Sequence, residues 1–451
     1  MKTEPNDLME KIVSLCKRRG FIYPSYDIYG GLAGFFDYGP YGLSLKNNIT
    51  HTWWKQFVSD REDVYGIDSA IVTKKEVLEA SGHARGFADM LTECEKCKRR
   101  FRVDHLDDKK KCPECGGKLG EARQFYMMLE THVGASEEEA SLAYLRPETA
   151  QGIFTNFKNI IDSFHPTLPF GIAQIGKAFR NEIAPRDFLF RVRELEQMEV
   201  EYFVRPELWE ESFEMWQKEI MRFISSVGID KAKVSELEID EADRAHYSKR
   251  TVDFEFEFPF GRKELFGLAY RTDYDLKNHA KASSVDLSYL DEASKTKFTP
   301  HVIEPSLGVG RTLLAVLSSV YTEDEMGGEK RIFLKFPPKI APVKIAVFPL
   351  LKNKPVLVER AREVYKMLKA EFGAVEFDDN GNIGKRYRRQ DETGTPFCVT
   401  IDFDTIEKPA RLDATHSGGD NTVTVRDRDT GKQERISLTD LVANLREKIG
   451  L

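Results

Sequence analysis

Long apolar runs are missing from this chain of 451 residues. None approaches the roughly 18 to 20 residues that a bilayer-spanning helix needs, so no membrane partner is expected. The opening MKTEPNDLME lacks the apolar core of a signal peptide, which points to a protein that is not exported and works in the cytoplasm. Excess positive charge is missing too: 67 Lys and Arg against 74 Asp and Glu leave −7 at pH 7. Taken alone this argues against a nucleic-acid partner. Binding depends on local basic patches, however, so any RNA contact must lie on a restricted basic face. No internal repeat and no low-complexity tract is visible. Cysteine is scarce and uneven, with four of the six between Cys94 and Cys115 while Cys16 and Cys398 stand alone. A disulfide scaffold would spread them through a secreted chain, so a metal site is the better reading.

What is present fits a globular protein of two or three domains, with 41% hydrophobic and 31% charged residues. Residues 8–19 and 45–58 have helical periodicity, and between them lies the Gly/Tyr/Phe-rich IYGGLAGFFDYGPYG. Short strand-like runs alternate with turns from Gln124 to Phe203. Residues 207–227 are strongly helical, TVDFEFEF (251–258) alternates as a strand does, and a helix is expected at 311–321. The proline-rich FPPKIAPVKIAVFPL reads as a linker entering a new strand, and beyond it the pattern becomes βαβ.

Chemistry concentrates in a few places. Cys94-x2-Cys97-x14-Cys112-x2-Cys115 matches a four-thiolate zinc ribbon, each pair on a tight knuckle, with Gly116 and Gly117 suiting the turn. Phe179-Arg180-Asn181-Glu182 is followed by a loop and by Phe190-Arg191-Val192-Arg193-Glu194. An arginine fork binds a phosphate bidentately and stabilises charge that builds on it, although this pattern also fits a salt-bridge ladder on a hairpin. Glu304-Pro305-Ser306-Leu307-Gly308-Val309-Gly310-Arg311 reads as a strand running into a helix. Its glycines allow close approach of a nucleotide and the helix start adds positive potential, or it is simply a helix-start turn. Gly384-Lys-Arg-Tyr-Arg-Arg-Gln390 interleaves four basic residues with Tyr387, which suits a phosphate backbone and a stacking base, or a solvated face. Lys46 and Lys55 are expected on a solvated helix face.

The Phe-Arg-x-Glu pattern with its loop and returning strand resembles motif 2 of class II aminoacyl-tRNA synthetases, and EPSLGVGR, in the right order after it, resembles motif 3. The class I signatures HIGH and KMSKS do not occur. Together with YGGLAGFFDYGP and the stretch Arg146-Pro147-Glu148-Thr149-Ala150-Gln151-Gly152, the sequence is similar over nearly its whole length to glycyl-tRNA synthetases of the homodimeric type. The resemblance implies an α+β fold: a class II antiparallel sheet flanked by helices over residues 1–340, and a C-terminal α/β anticodon-binding domain at 341–451. A zinc-ribbon insert at 92–125 and a helical insert at about 205–250 interrupt the first. It also implies activation of glycine with ATP and Mg2+, transfer to tRNA(Gly), a structural Zn2+ on Cys94, Cys97, Cys112 and Cys115, and a homodimer.

By the same resemblance Arg180 holds the α-phosphate and Arg311 the γ-phosphate, as the catalytic pair. Glu182 bonds the adenine amino group and Phe190 stacks on its ring. Asn181, Arg191, Val192, Arg193, Glu194, Leu195, Glu264, Leu265, Gly308, Val309 and Gly310 complete the ATP site. The glycine site takes Arg102, Glu148, Leu195, Glu196, Gln197, Met198, Glu199, Glu304, Pro305, Ser306, Leu307 and Gly308. Within it Glu148, Glu199 and Glu304 surround the ammonium and Ser306 adds a polar contact. Unpaired buried carboxylates are expensive, so such a cluster needs a cationic ligand or arginine partners. Glu196, one residue off in a strand, is expected to face away from them.

Overall fold

In the computed structural model, residues 5–135, 142–245, 247–406 and 420–451 are described. The chain opens with α1 (Pro5–Arg19) and α2 (Pro40–Trp54), followed by a short strand, β1 (Val64–Gly66). After the cysteine-bearing segment come α3 (Ala150–Phe164), β2 (Phe170–Phe179), β3 (Glu194–Val204), α4 (Trp209–Ser226), β4 (Val234–Glu238), β5 (Arg250–Phe258) and β6 (Gly261–Thr272). The unit ends with α5 (Tyr274–Ser283), β7 (His301–Gly308) and α6 (Val309–Val320). The strands form one seven-stranded sheet in the order β4-β5-β6-β7-β3-β2-β1, antiparallel except where β1 runs parallel to β2.

Period-two alternation decides which face each side chain takes. From β3, Met198, Val200, Tyr202 and Val204 enter an apolar layer, joined there by Phe254, Phe256 and Phe258 of β5. That layer is closed by Leu45, Ile49 and Trp53 of α2, Phe213, Trp216 and Phe223 of α4, and Leu313 and Leu317 of α6. The opposite face is covered at one end only, where Phe154 and Phe157 of α3 and Leu276 of α5 pack on Phe170, Ile172, Phe203 and Val302. The rest of that face carries polar side chains, and the site lies there.

The segment about 205–250, expected to be a helical insert, is helical only in part. Helical periodicity stops at Gly228, which takes φ +77. Val234–Glu238 then forms the edge strand β4, in register with Phe256–Val252 of β5. Among the described residues there, α4 and three single helical turns (Pro206–Leu208, Lys231–Lys233 and Glu241–Asp243) are helical, and α4 belongs to the core layer.

The last hundred residues build a second sheet on their own core. β8 (Ile345–Pro349), α7 (Pro355–Phe372), β9 (Val375–Phe377), α8 (Ile383–Thr393), β10 (Phe397–Ile401), β11 (Thr422–Asp427), β12 (Gln433–Ser437) and α9 (Leu441–Ile449) follow in turn. The order is β9-β8-β10-β11-β12, parallel across the first three strands and antiparallel thereafter. Buried ion pairs tie this unit to the first. Arg331, on the hairpin strand Glu329–Leu334, bonds Asp324, Asp391 and the Arg428 carbonyl, and Arg426 forks onto Asp391 at 2.8 and 2.9 Å. From α1, Arg18 and Arg19 reach Glu392 at 3.1 and 2.6 Å.

Candidate active site

The sheet register brings one row of residues together across five strands: Gln174 opposite Glu199, Glu199 opposite Ser306, Ser306 opposite Gly267, and Gly267 opposite Asp253. Directly paired residues in a sheet share a face, so this row is a polar floor with a gap at Gly267. The adjoining row adds Glu304 of β7, opposite Ala269. Glu148 arrives from the turn before α3.

Each acid on this floor is held by neighbours. Glu199 accepts from Ser306 Oγ at 2.6 Å, from Gln197 Nε2 at 2.7 Å and from the Thr149 hydroxyl. Glu148 accepts from Gln151 Nε2 at 2.8 Å and faces His83 Nε2 at 3.2 Å. Glu304 accepts from Arg271 Nη1 at 2.8 Å, while the rest of that guanidinium forks onto Asp275 at 2.9 Å twice. Arg271, Asp275, Glu199 and Glu304 are all buried. One arginine is thus shared among more carboxyls than it can neutralise.

The titrations follow from that imbalance. Burial pushes Glu304 up to about 8, opposed by Arg271 and reinforced by the charges of Glu199 and Glu148. Burial and the Glu148 charge also raise Glu199 against its hydrogen bonds from Ser306 and Thr149. Burial acts against the Glu148 carboxylate as well, but the charge and hydrogen bond of His83, with Arg271 and Gln151, hold that carboxyl well below its usual range. Glu201, two residues beyond Glu199 on the same face, has both oxygens buried without a hydrogen-bond partner among the described residues, and burial raises it strongly. The pocket therefore holds more carboxyls than neighbouring cations to pair with them.

Next to this floor lies a cavity of ≈ 360 Å3 lined by cations. Of the residues expected there, Arg102, Arg180, Glu182, Phe190, Arg191, Val192, Glu194, Leu195, Glu196, Gln197, Glu264, Leu265, Ser306, Gly308, Gly310 and Arg311 line it. Arg180, which directly follows β2, uses only Nε, on the Pro147 carbonyl at 3.0 Å. Its two terminal nitrogens bond nothing among the described residues. Arg311, in the first turn of α6, lies 4.6 Å over the Phe190 ring and pairs with Glu264 at 3.0 Å, which holds the Glu264 carboxyl below its usual range. Phe190 is fixed edge-on by Phe258 and Phe260. Glu182 Oε2 is buried without a partner. Gly310 is tightly packed, since a Cβ would sit 3.1 Å from the Leu189 carbonyl oxygen.

Glu148, Glu199 and Glu304 line a second, adjoining cavity of ≈ 380 Å3, which shares Arg180, Gln197, Glu264 and Ser306 with the first. The two spaces therefore share a wall. Six expected residues are not on either wall. Met198, Leu307 and Val309 belong to the apolar layer on the far face, and Pro305, paired with Leu268 of that layer, is buried on the same side. Arg193 is a strut, donating to the Glu182 and Ala33 carbonyls, and the Asn181 backbone N–H donates to the Met127 carbonyl at 2.7 Å.

Lys46, expected in solvent, instead lines the cavity and pairs with Glu196 at 2.7 Å. The basic run 385–389 is largely used up within the fold. Arg386 is 1% exposed and donates to the carbonyls of Pro349, Asp379 and Gly381, while Arg389 pairs with Asp378. Arg388 donates to the Lys330 carbonyl and Glu329, and Tyr387 bonds Thr400. Lys385 alone of that run is exposed.

The four cysteines converge. Their sulfurs all lie within 4.8 Å of one another, with Cys94–Cys115 at 3.6 Å and Cys97–Cys112 at 3.7 Å. Those separations match the edge of a tetrahedron, about 3.8 Å for a metal–sulfur bond of about 2.3 Å. Lys98 and Gly116, each just after a CxxC pair, take φ +59 and +67, and their N–H groups close onto the Cys94 and Cys112 carbonyls at 2.9 Å. The strand Arg100–Arg102 leaves the first knuckle and carries Arg102, braced by Asp89 and Asp104, to the wall of the nucleotide-sized cavity.

Arg271, Asp275, His83, Gly267 and Asp253 belong to no sequence motif. Only Arg271 and Asp275 carry a signal, an acid–base pair four residues apart at the start of a helix.

Comparison with known proteins agrees with this geometry. The family described as "tRNA synthetase class II core domain (G, H, P, S and T)" matches residues 129–320, and that described as "Anticodon binding domain" matches residues 344–448. The glycine–tRNA ligase of Thermobifida fusca is 49% identical over 98% of both chains. That of Streptomyces coelicolor is 47% identical, covering 98% of this chain and 99% of its own. That of Treponema denticola is 46% identical, covering 98% and 97%. Likeness at this level over the whole length places the chain plainly: it belongs to the glycine–tRNA ligase family.

Proposed function

We propose that this chain activates glycine with ATP to glycyl-adenylate and transfers the glycyl group to tRNA(Gly), working as a homodimer in the cytoplasm. The observation that carries the reading is the acid floor of Glu148, Glu199 and Glu304 beside the arginine-lined cavity, with Arg180, Gln197, Glu264 and Ser306 on the walls of both. Glycine offers an ammonium and a carboxylate and nothing else. A floor with surplus carboxyls takes the first, and leaves the second pointing toward the arginines.

In the first step a glycine carboxylate oxygen attacks the α-phosphorus and pyrophosphate leaves. Arg180 is suited to the α-phosphate because its Nε is fixed while its fork is open. Arg311 takes the γ-phosphate, and the unpartnered Glu182 oxygen accepts from the adenine amino group. Phe190 provides the stacking face, which requires Arg311 to lift from its present 4.6 Å. In the second step a terminal ribose hydroxyl of the tRNA attacks the activated carbonyl. Positioning and charge stabilisation account for the acceleration, with no protein general base. Mg2+ bound with ATP would neutralise phosphate charge, and Glu264, which lines both cavities, is an acidic side chain that could hold it.

The tetrahedral sulfur spacing fits a structural Zn2+ on Cys94, Cys97, Cys112 and Cys115, which would fix the strand that carries Arg102. Residues 1–340 are the catalytic domain on this reading and residues 341–451 the anticodon reader. Pyrophosphate exchange with each of the twenty amino acids tests the whole. Glycine alone should support strong exchange, and alanine within about tenfold of it would end the specificity claim.

A further inference from the structure

The floor of the amino-acid pocket does not exclude a methyl group. Gly267 lies between Ser306 and Asp253, and a Cβ placed on it meets no atom of the described residues within 4 Å. Its neighbour on the same face is only an alanine, Ala269. The acids recognise an ammonium, which alanine presents as well as glycine does. With ≈ 380 Å3 of space, a pocket of this kind admits alanine unless the opposite wall prevents it.

That wall is made by the described residues of the strap, 239–245 and 247–249. It is closed at both ends onto the sheet, by Ile239 N–H to the Thr251 carbonyl and Lys249 N–H to the Tyr270 carbonyl, both 2.9 Å. Arg244 braces it from within, donating to the carbonyls of Ile239 at 2.8 Å and Lys249 at 2.5 Å. Ser248 Oγ fastens it again to the Arg250 carbonyl at 2.7 Å. Such a strap holds its side chains in place. Tyr247 is the aromatic side chain it presents to the cavity, and its ring lies 3.8 Å over the Arg271 guanidinium, the group that grips Glu304. A stacked cation fixes the plane of the ring, so the ring is a rigid surface beside the acids.

We propose that Tyr247 is the specificity-determining wall of the glycine pocket, its ring occupying the space that the methyl group of alanine would need. The proposal rests on the glycine-pocket assignment above. Wild-type enzyme that did not prefer glycine would overturn that assignment, whereas the variants below test the wall alone.

Pyrophosphate exchange is measured with glycine and with alanine for wild type, Tyr247→Ala and Tyr247→Phe. Removing the ring should raise the alanine-to-glycine ratio of kcat/KM by on the order of ten- to a hundredfold, the discrimination available from one methyl-sized clash. Tyr247→Phe keeps the ring and should keep the wild-type ratio. An unchanged ratio in Tyr247→Ala overturns the proposal. So does a ratio relaxed equally in Tyr247→Phe, because the hydroxyl and not the ring would then be responsible. Should Tyr247→Ala be inactive, competition between glycyl- and alanyl-sulfamoyl adenosine is measured on it and on Tyr247→Leu by calorimetry. Loss of the glycyl preference in Tyr247→Ala supports the wall, and a wild-type preference in both variants overturns it.

Discussion

Glycine binding should release a proton. With Glu304 pushed up to about 8, its carboxyl is about nine-tenths protonated at pH 7 in the free enzyme. An ammonium brought within about 4 to 6 Å lowers a carboxyl pKa by roughly 1 to 3 units, which places Glu304 at about 5 to 7 in the complex. The difference in protonation at pH 7 is about 0.4 to 0.9 proton per site. The sign is fixed by the charge: a cationic ligand prefers the ionised acid, so glycine affinity should climb as pH rises from about 6 toward 8. The same raised value makes Glu304 a stabilising group below its unfolded pKa, and that stability is lost as pH rises through about 8. Glu148, held low, works the other way and loses its contribution on acidification. Because the acids share Arg271 and one another's fields, the released proton belongs to the cluster as a unit. Calorimetric titration with glycine and a non-hydrolysable ATP analogue at pH 7, in buffers of different ionisation enthalpy, gives the proton count as a slope. A slope of zero, or net proton uptake, would refute the reasoning. Glu304→Gln should bind glycine more weakly and with most of the slope gone.

Arg180→Ala should cut pyrophosphate exchange on the order of a hundredfold or more while leaving thermal melting nearly unchanged, since among the described residues the side chain makes one hydrogen bond, from Nε to the Pro147 carbonyl. Near-normal exchange would remove it from the phosphate site. Arg271→Ala strands Asp275 and Glu304 as buried carboxyls and should destabilise the protein by about 3 to 5 kcal/mol in denaturant titration. A loss below about 1 kcal/mol would mean that water reaches the pair. Purified protein should carry about one zinc per chain by elemental analysis, and its absence with all four thiols reactive would make the tetrahedral spacing accidental. Truncation after Pro342 should spare exchange, leave dimers in gel filtration and cripple tRNA charging. Charging at nearly the full-length rate would remove the C-terminal unit from tRNA recognition.

Much of this architecture is legible in the sequence because it rests on short-range pattern. TVDFEFEF forms β5, the helix expected at 311–321 is α6 with its start two residues earlier, and the two arginine motifs stand at strand and helix ends facing one cavity. Alternation also separates Glu196 from Glu199, though it is silent on the partner waiting for Glu196. Lys46 comes from a helix 150 residues earlier, and such a distance leaves no trace in local periodicity. The same blindness accounts for the expectations that fail. VSELE, after a strongly helical run, pairs with β5 because an exposed sheet edge is there to receive it. The basic run 385–389 has the composition of a nucleic-acid surface, yet its arginines cap carbonyls and acids within the fold.

Arg271 shows why the centre of the site is its least visible part. A motif advertises residues that touch a ligand in a fixed local geometry, whereas Arg271 acts through what it balances: Asp275 on the helix that follows, Glu304 on the neighbouring strand, and Tyr247 on the strap. The pairings with Glu304 and Tyr247 are decided by register and loop closure rather than by spacing along the chain. The buried guanidinium offsets part of the desolvation cost of the acids, and the protons they retain offset more of it. A cationic ligand displaces those protons and pairs with the carboxylates they leave. Substrate recognition in such a pocket follows from a surplus of acids brought together by the fold, and that surplus exists only once the strands are side by side.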